Sequence, residues 1–397
     1  MNSRLLGGIL LIAGTSIGAG MLALPVLTAT AGFAPSCLLF VAVWLGTLFT
    51  AFLVLEVNLW FKGDVNLISM ARFTLGRFGE AVTWFFYLAL LYSLTAAYLA
   101  GSGSTIACEL SSLFGLLMPT YLEPLPLLFI FAFFIYFGTK LADMLNRFCM
   151  IILIICYFGL ISTVLPHSDL DLIKESNFSY MFISIPVVVT SFGFHVIIPV
   201  LTTYLKQDVK ALKKAIFIGS AIPLFVYILW EFVILSVVPV SGEFGLLSVC
   251  ANGSMVSQSL ADILNNNLIT TFASTFSFFA ILTSFLGVSL SLASFLKDGF
   301  KIKENSIGKL LVVFLTFAPP LLFVFFYPRG FILALMWAGI IVAFLHGILP
   351  ALMVFKGRRQ IRQQVLYRVN CGNFALICVI VLSIAIIALE VLEKLHA

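Results

Sequence analysis

Eleven apolar stretches follow one another along the chain, with short polar gaps between them. They run roughly over 5–30, 36–61, 81–107, 125–139, 147–165, 181–204, 214–238, 268–296, 308–326, 330–350 and 372–391. A helix needs about 20 apolar residues to cross a bilayer. It is one of few structures able to do so, because all its backbone hydrogen bonds close within the segment. The fourth stretch is short and its edges are the least defined. Only 10% of the residues are charged and 62% are hydrophobic, against about 25% charged in soluble domains. A soluble fold of this length could not cover so much apolar surface. The chain is therefore expected to be an all-α polytopic membrane protein, a single transmembrane domain over 1–397.

The first stretch contains Ala29-Thr30-Ala31, which resembles a signal-peptide cleavage site. At roughly 25 residues it is longer than a signal core, and it is read as a retained helix. The net charge of +5 does not point to nucleic acid, because the basic residues sit in the gaps between spans. With the N-terminus in the cytoplasm, all of the 22 basic residues except Lys174, Arg329 and Lys394 fall on the inner side. This is the bias expected of cytoplasmic loops, and it places the C-terminus on the periplasmic or external side. Between the second and third spans, Leu67, Ile68, Met70, Phe73 and Leu75 alternate with basic residues, as in an interfacial helix. In the outer gap, Ser254 to Leu264 is expected to form a short helix over the external mouth. Seven cysteines, mostly within apolar runs, read as buried hydrophobes. Cys108 and Cys250 both fall near outer segments, where a bridge is conceivable. No metal-ligand spacing and no cofactor motif appears.

An internal repeat organises the chain. Thr15-Ser16-Ile17-Gly18 in the first span matches Thr190-Ser191-Phe192-Gly193 in the sixth, 175 residues later. Glu56 in the second span and Glu231 in the seventh have the same separation of 175 residues. A four-residue match alone is weak; a shared offset with a second rare feature is much stronger. Because five spans separate the copies, the second is inverted in the membrane. The repeats are 5–165 and 181–350, with 372–391 as an extra helix. Inverted five-helix repeats mark one architecture of secondary transporters, with substrate held at the midplane between discontinuous helices.

Gly14-Thr15-Ser16-Ile17-Gly18-Ala19-Gly20 lies at the middle of the first span. Each glycine weakens a helix by about 1 kcal/mol relative to alanine. An unwound stretch would offer amides to a carboxylate and carbonyls or hydroxyls to an ammonium group or small cation. The alternative is close helix packing by small residues. Ser191-Phe192-Gly193-Phe194-His195 is the matching stretch, with Phe192 and Phe194 as aromatic walls. The substrate-site candidates are thus Thr15 through Gly20, Ser191 through His195, and Tyr92 in the third span. Tyr87, Tyr98, Thr283 and Ser284 are further polar groups that could line a cavity, and His346 and Trp337 are less defined. The proton-coupling candidates are His195, Glu231 and Glu56. An imidazole with an ordinary pKa of about 6.5 readily exchanges a proton, while a neutral histidine bonded across helices is the competing reading. A carboxyl deep in a span is costly. It either carries a proton or caps backbone donors freed by a neighbouring broken helix, and the symmetry of the pair favours a supporting role for at least one.

Gly14-Thr15-x-x-Gly18-Ala19-Gly20-Met21-Leu22-Ala23-Leu24-Pro25, followed by Ser191-Phe192-Gly193-Phe194-His195, resembles the bacterial aromatic and hydroxy amino acid permease family, most closely its tyrosine/tryptophan branch. The resemblance covers the whole chain. It implies a LeuT-type fold with two inverted five-helix repeats plus one helix, eleven spans in all. It also implies residence in the inner membrane and proton-driven import of aromatic amino acids: tyrosine, with tryptophan or phenylalanine as further candidates. The implied partners are the amino acid, a proton and the lipid bilayer. Two neighbouring readings stay open, a hydroxy amino acid (serine or threonine) permease and a sodium-coupled symporter. In the latter, Ser284 would help hold Na⁺, and the fifth span has no lysine to replace the ion. A more distant reading, a membrane-embedded transferase, would rest on His167 with Asp169 and Asp171 in an outer loop. An enzyme has no need of inverted repeats, so none is expected.

Overall fold

The structure is a computed structural model. It describes the chain except residues 1–2, 62–64, 115–118, 120–121, 138, 253–254, 304, 329, 362–365 and 397, and the backbone alone at 3, 104–114, 137, 139–144, 146–147 and 392–396.

Among the described residues every regular element is helical. The first half contains α1 (Ser3–Ser16), α2 (Gly20–Thr28), α3 (Phe33–Asn58), α4 (Leu67–Phe114), α5 (Leu125–Phe137) and α6 (Thr139–Val164). The second contains α7 (Ile185–Ser191), α8 (Ile198–Tyr204), α9 (Val209–Leu235), α10 (Leu246–Asn252), α11 (Val256–Leu264), α12 (Asn267–Gly299), α13 (Ser306–Phe326), α14 (Phe331–Val342) and α15 (Leu349–Gln360). A π-helical turn, Ala343–Ile348, joins the last two, and α16 (Asn373–His396) follows.

Nine helical segments among the described residues are long and apolar enough to cross a membrane, or ten when the bent pair α1 and α2 counts as one. The shortfall from eleven lies at α5. Its 13 residues rise about 20 Å at about 1.5 Å each, less than the roughly 30 Å of a hydrocarbon core. Many large apolar side chains point outward, among them Phe225 (69% exposed) and Phe374 (80%). Lipid removes the cost that water would impose on such a surface.

The amphipathic stretch after α3 forms a helical arm at the start of α4. Gly76, with φ of 81°, interrupts the helix there and lets the chain turn into the span. Gly32 serves the turn between α2 and α3: its φ is 84°, and a side chain would strike the carbonyl of Glu175. The loop before α7 is tied to that turn by Asn177 N–H donating to the Ala31 carbonyl at 2.8 Å. In the gap before α12, α11 packs on α12. The two halves interlock around α1, which lies on α9, and α2, which lies on α7 and α9. Helices α4, α12 and α14 close the remaining sides, with α12 packed on both α4 and α6, and α14 on α4 and α7.

Candidate functional site: a cavity between two broken helices

Both glycine-bearing stretches are breaks. Helix α1 ends at Ser16, and α2 starts at Gly20 with its axis turned by 53°. The four last carbonyls of a helix lack intrahelical partners. That of Ala13 is met by Ile17 N–H at 2.8 Å, and that of Ser16 by a tyrosine hydroxyl described below. Those of Gly14 and Thr15 have no partner among the described hydrogen bonds. Across the break, Ala19 N–H donates to Ser284 Oγ of α12 at 2.9 Å. Gly18 lies against that same hydroxyl, and a methyl group there would collide with it. In the second break, Gly193 N–H turns back to the Thr190 carbonyl at 3.0 Å, and Phe194 N–H to Phe192 at 3.1 Å. The chain then re-enters a helix through the 3₁₀ turn His195–Ile197.

The breaks touch each other. A Cβ on Gly20 would lie 3.0 Å from Ser191 Oγ. The Tyr227 hydroxyl of α9 lies 2.6 Å from the Ser16 carbonyl and 2.8 Å from the Ser191 carbonyl. It has one proton for two acceptors, so that proton is shared between the ends of α1 and α7. Tyr227 is fully buried, so water cannot replace it. Tyr227→Phe is expected to destabilise the protein by about 1–3 kcal/mol, the cost of leaving a buried carbonyl unsatisfied. Thermal unfolding in detergent checks this; an unchanged midpoint would mean that the hydroxyl does not hold the breaks.

A cavity of about 500 Å³ opens between them, within the range of small-molecule sites, about 300–1,000 Å³. All of Gly14 through Gly20 line it. From the second break, Ser191 and Gly193 line it, together with Thr190. Phe192, Phe194 and His195 do not; they are buried behind the wall. Tyr92 is also elsewhere, since its hydroxyl donates to the Leu315 carbonyl at 2.8 Å and anchors α4 to α13. Helix α4 instead contributes Tyr87 and Tyr98 with Leu90, Leu91 and Leu94, and α12 contributes Thr283 and Ser284. His346, from the π-helical turn, completes the wall. A wider space of about 830 Å³ shares Tyr87, Val196 and Ser291 with this cavity. It extends to Asn66, Tyr204 and Asp298, at the helix ends beside the basic gaps.

The two glutamates are used differently. Glu56 is two residues from the end of α3 and 1% exposed. Its carboxylate accepts from Arg358 Nε and Nη2, each at 2.8 Å, and from Val369 N–H at 2.7 Å. Arg358 also donates to the carbonyls of Val369 and Cys371. Glu56 thus fastens the segment before α16, not a broken helix. Glu231, four residues before the end of α9 and fully buried, meets the Thr28 hydroxyl at the end of α2 and the Ser36 hydroxyl of α3. Its Oε2 has no partner among the described residues. Thr28 also lies 2.7 Å from the Leu24 carbonyl, and Ser36 lies 2.6 Å from that of Gly32. Each hydroxyl has one proton and a carbonyl within reach to accept it.

His195 Nε2 lies 2.8 Å from Thr50 Oγ1, and its ring stacks on His346 with centroids 4.1 Å apart. The cluster of His167, Asp169 and Asp171 does not converge: His167 Nδ1 lies 3.2 Å from the Thr163 carbonyl, and Asp171 pairs with Lys174. No group of three or more metal-ligating side chains occurs among the described residues. Cys250 is free and exposed. The Cys108 side chain lies outside the described residues.

Sequence comparison agrees with this geometry. The chain is 35% identical over 387 residues to tyrosine-specific transport system 1 of Haemophilus influenzae, covering 97% of this chain and 96% of that one. It is 30% identical over 398 residues to a tryptophan-specific transport protein of Pseudomonas aeruginosa, covering 99% and 95%. The low affinity tryptophan permease of Escherichia coli K12 is 28% identical over 389 residues, covering 96% and 93%. These relatives are transport proteins. With residues 1–390 matching throughout, this multi-helix membrane chain belongs to the tryptophan/tyrosine permease family.

Proposed function

We propose that the protein imports aromatic amino acids, tyrosine foremost, across the bacterial inner membrane by proton symport with alternating access. The observation that carries this reading is the cavity lined by both helix breaks. The relatives named for tyrosine and tryptophan transport supply the substrate class. The proposed architecture is LeuT-type, with repeats 5–165 and 181–350 and an extra helix at 372–391. Joining α1 to α2, α7 to α8 and α14 to α15, and counting α5, gives eleven spans, with the N-terminus cytoplasmic and the C-terminus external.

The amino acid's carboxylate meets the start of α2, where Gly20 N–H has no partner among the described hydrogen bonds and the helix dipole favours negative charge. Its ammonium group meets the free carbonyls of Gly14 and Thr15. The ring lies among Leu90, Leu91, Leu94 and Val288. The wider space leads from this site toward the basic gaps, so the conformation fits an inward-facing state.

Glu231 is the proposed proton carrier. An ionised carboxyl sealed in the membrane costs at least about 2.5–3.5 kcal/mol. The deprotonated protein therefore favours the conformation in which external water reaches Glu231, near the outer end of α9. Protonation lets α2 close over it, and Thr28 transmits the change to the break that holds substrate. Glu56, fixed by Arg358, stays charged and structural. His195, held by Thr50, orients the wall.

The test is uptake of labelled tyrosine into proteoliposomes with and without an imposed pH gradient, repeated with choline in place of sodium. Accumulation that follows the pH gradient and ignores the sodium swap is expected. Accumulation that requires sodium would instead favour a cation near Ser284, a hydroxyl that here accepts from Ala19 N–H.

A further inference from the structure

His346 is an unusual residue for the middle of a membrane helix. It is 3% exposed, it lines the central cavity, and neither ring nitrogen has a hydrogen-bond partner among the described residues. A buried polar group without a partner costs about 1–3 kcal/mol, so such a group calls for a reason. Nothing in the mechanism above uses it.

Its setting is built, in three ways. The residue sits in the π-helical turn Ala343–Ile348, and π turns inside α-helices are frequent at functional sites. The turn is braced from behind by α16, where Gly347 lies against Ser383 so closely that a methyl group would collide. The imidazole plane is fixed by stacking on His195 at 4.1 Å with 16° between planes, and His195 is itself held by Thr50. On the other edge, a Cβ on Gly193 would come within 3.3 Å of His346 Cε1, so the ring sits directly beside the second break. The result is an imidazole held in place in the cavity wall, with neither nitrogen taken by a described partner and both closed off in this conformation, so an entering substrate must part the wall at the ring's edge to reach one.

Resting on the aromatic amino acid reading, we infer that His346 is the side-chain specificity residue of the cavity, its ring nitrogen accepting a hydrogen bond from the polar hydrogen of the substrate's aromatic ring. Tyrosine offers a phenolic O–H and tryptophan an indole N–H. Phenylalanine offers neither. One imidazole acceptor thus serves both ring systems and penalises phenylalanine, which would leave the nitrogen buried and unpaired. A site built to hydrogen-bond a substrate group rejects the analogue lacking it far more strongly than apolar contacts can.

The experiment is competition of labelled tyrosine uptake in proteoliposomes by unlabelled tyrosine, tryptophan and phenylalanine. In the unmodified protein, phenylalanine is expected to need at least about tenfold more for half-inhibition than tyrosine or tryptophan. His346→Phe keeps the ring stack and removes both nitrogens; the tyrosine-to-phenylalanine ratio should fall to within about twofold, by weaker tyrosine binding. His346→Gln, which retains an acceptor, should recover part of the preference. A merely structural role would lower uptake of all three amino acids together and leave the ratio unmoved. If the unmodified protein takes phenylalanine as well as tyrosine, or if His346→Phe keeps the ratio, the inference is wrong while the transport reading stands. Should His346→Phe fail to fold, the selectivity of the unmodified protein and the ratio in His346→Leu still decide. Uptake of none of the three by the unmodified protein would remove the transport reading itself.

Discussion

Replacing Arg358 with alanine should destabilise the protein by about 3–5 kcal/mol, because it strands the buried Glu56 carboxylate. Arg358 reaches Glu56 through two hydrogen bonds of 2.8 Å, a fork that fits a carboxylate on both oxygens. The arginine side chain is 11% exposed and that of Glu56 1%, so solvent screens the pair little. The same guanidinium ties down the carbonyls of Val369 and Cys371, and Val369 N–H returns to Glu56. Losing it therefore frees the whole segment ahead of α16. Tyr367, on that segment, stacks edge-on against Phe52 and lies under Lys213, and those contacts should loosen too. Glu56→Gln should cost less, since it removes the charge along with part of the fork. The double variant Arg358→Ala with Glu56→Gln should be less damaging than the sum of the single changes, because residues that share one network are not additive. Thermal unfolding of the four proteins in one detergent reads this directly. Equal stability of Arg358→Ala and the unmodified protein would rule out the latch.

The second large effect is expected at Glu231. Glutamine has the shape of a protonated glutamic acid, and its amide oxygen can accept from Thr28 as the Glu231 carboxyl oxygen does. Glu231→Gln should therefore fold, bind tyrosine and exchange it across the membrane. It should not accumulate tyrosine against a gradient. One charge moving through 100 mV supplies about 2.3 kcal/mol, which sustains a concentration ratio of about fiftyfold, and this ratio should fall to one. Counterflow without net accumulation is the signature to look for. If the variant still concentrates tyrosine in response to a pH gradient, the proton travels elsewhere, and the His195–His346 pair becomes the next place to test.

The contrast between these two residues marks what can be read from the sequence. Both break positions were legible, since three glycines within seven residues are a local feature and the 175-residue offset duplicates it. The arm ahead of Gly76 was legible for the same reason. The different uses of Glu56 and Glu231 were not. Arg358 is 302 residues from Glu56 and stands among other basic residues of the same polar gap, so nothing local distinguishes it from a topology-setting charge. Tyr227 is likewise an ordinary tyrosine in an apolar run until folding sets its hydroxyl between Ser16 and Ser191. Side-chain direction was hidden too. Phe192 and Phe194 flank a break, but both rings turn into the core, and the cavity receives its aromatic rings from Tyr87 and Tyr98 on another helix. Tyr92, between those two in sequence, points to α13. His346 lacked a local sign because a π-helical turn has no sequence signature and a lone histidine fits many roles.

The central claim is that one amino acid sits between the two breaks. Determining the structure of the lipid-embedded protein with saturating tyrosine tests it most directly. Tyrosine is expected in the cavity, its carboxylate at the start of α2, its ammonium group at the carbonyls of Gly14 and Thr15, and its ring toward His346. Tyrosine bound only in the wider space near Asn66 and Asp298, or an empty cavity in protein that transports tyrosine, would contradict it.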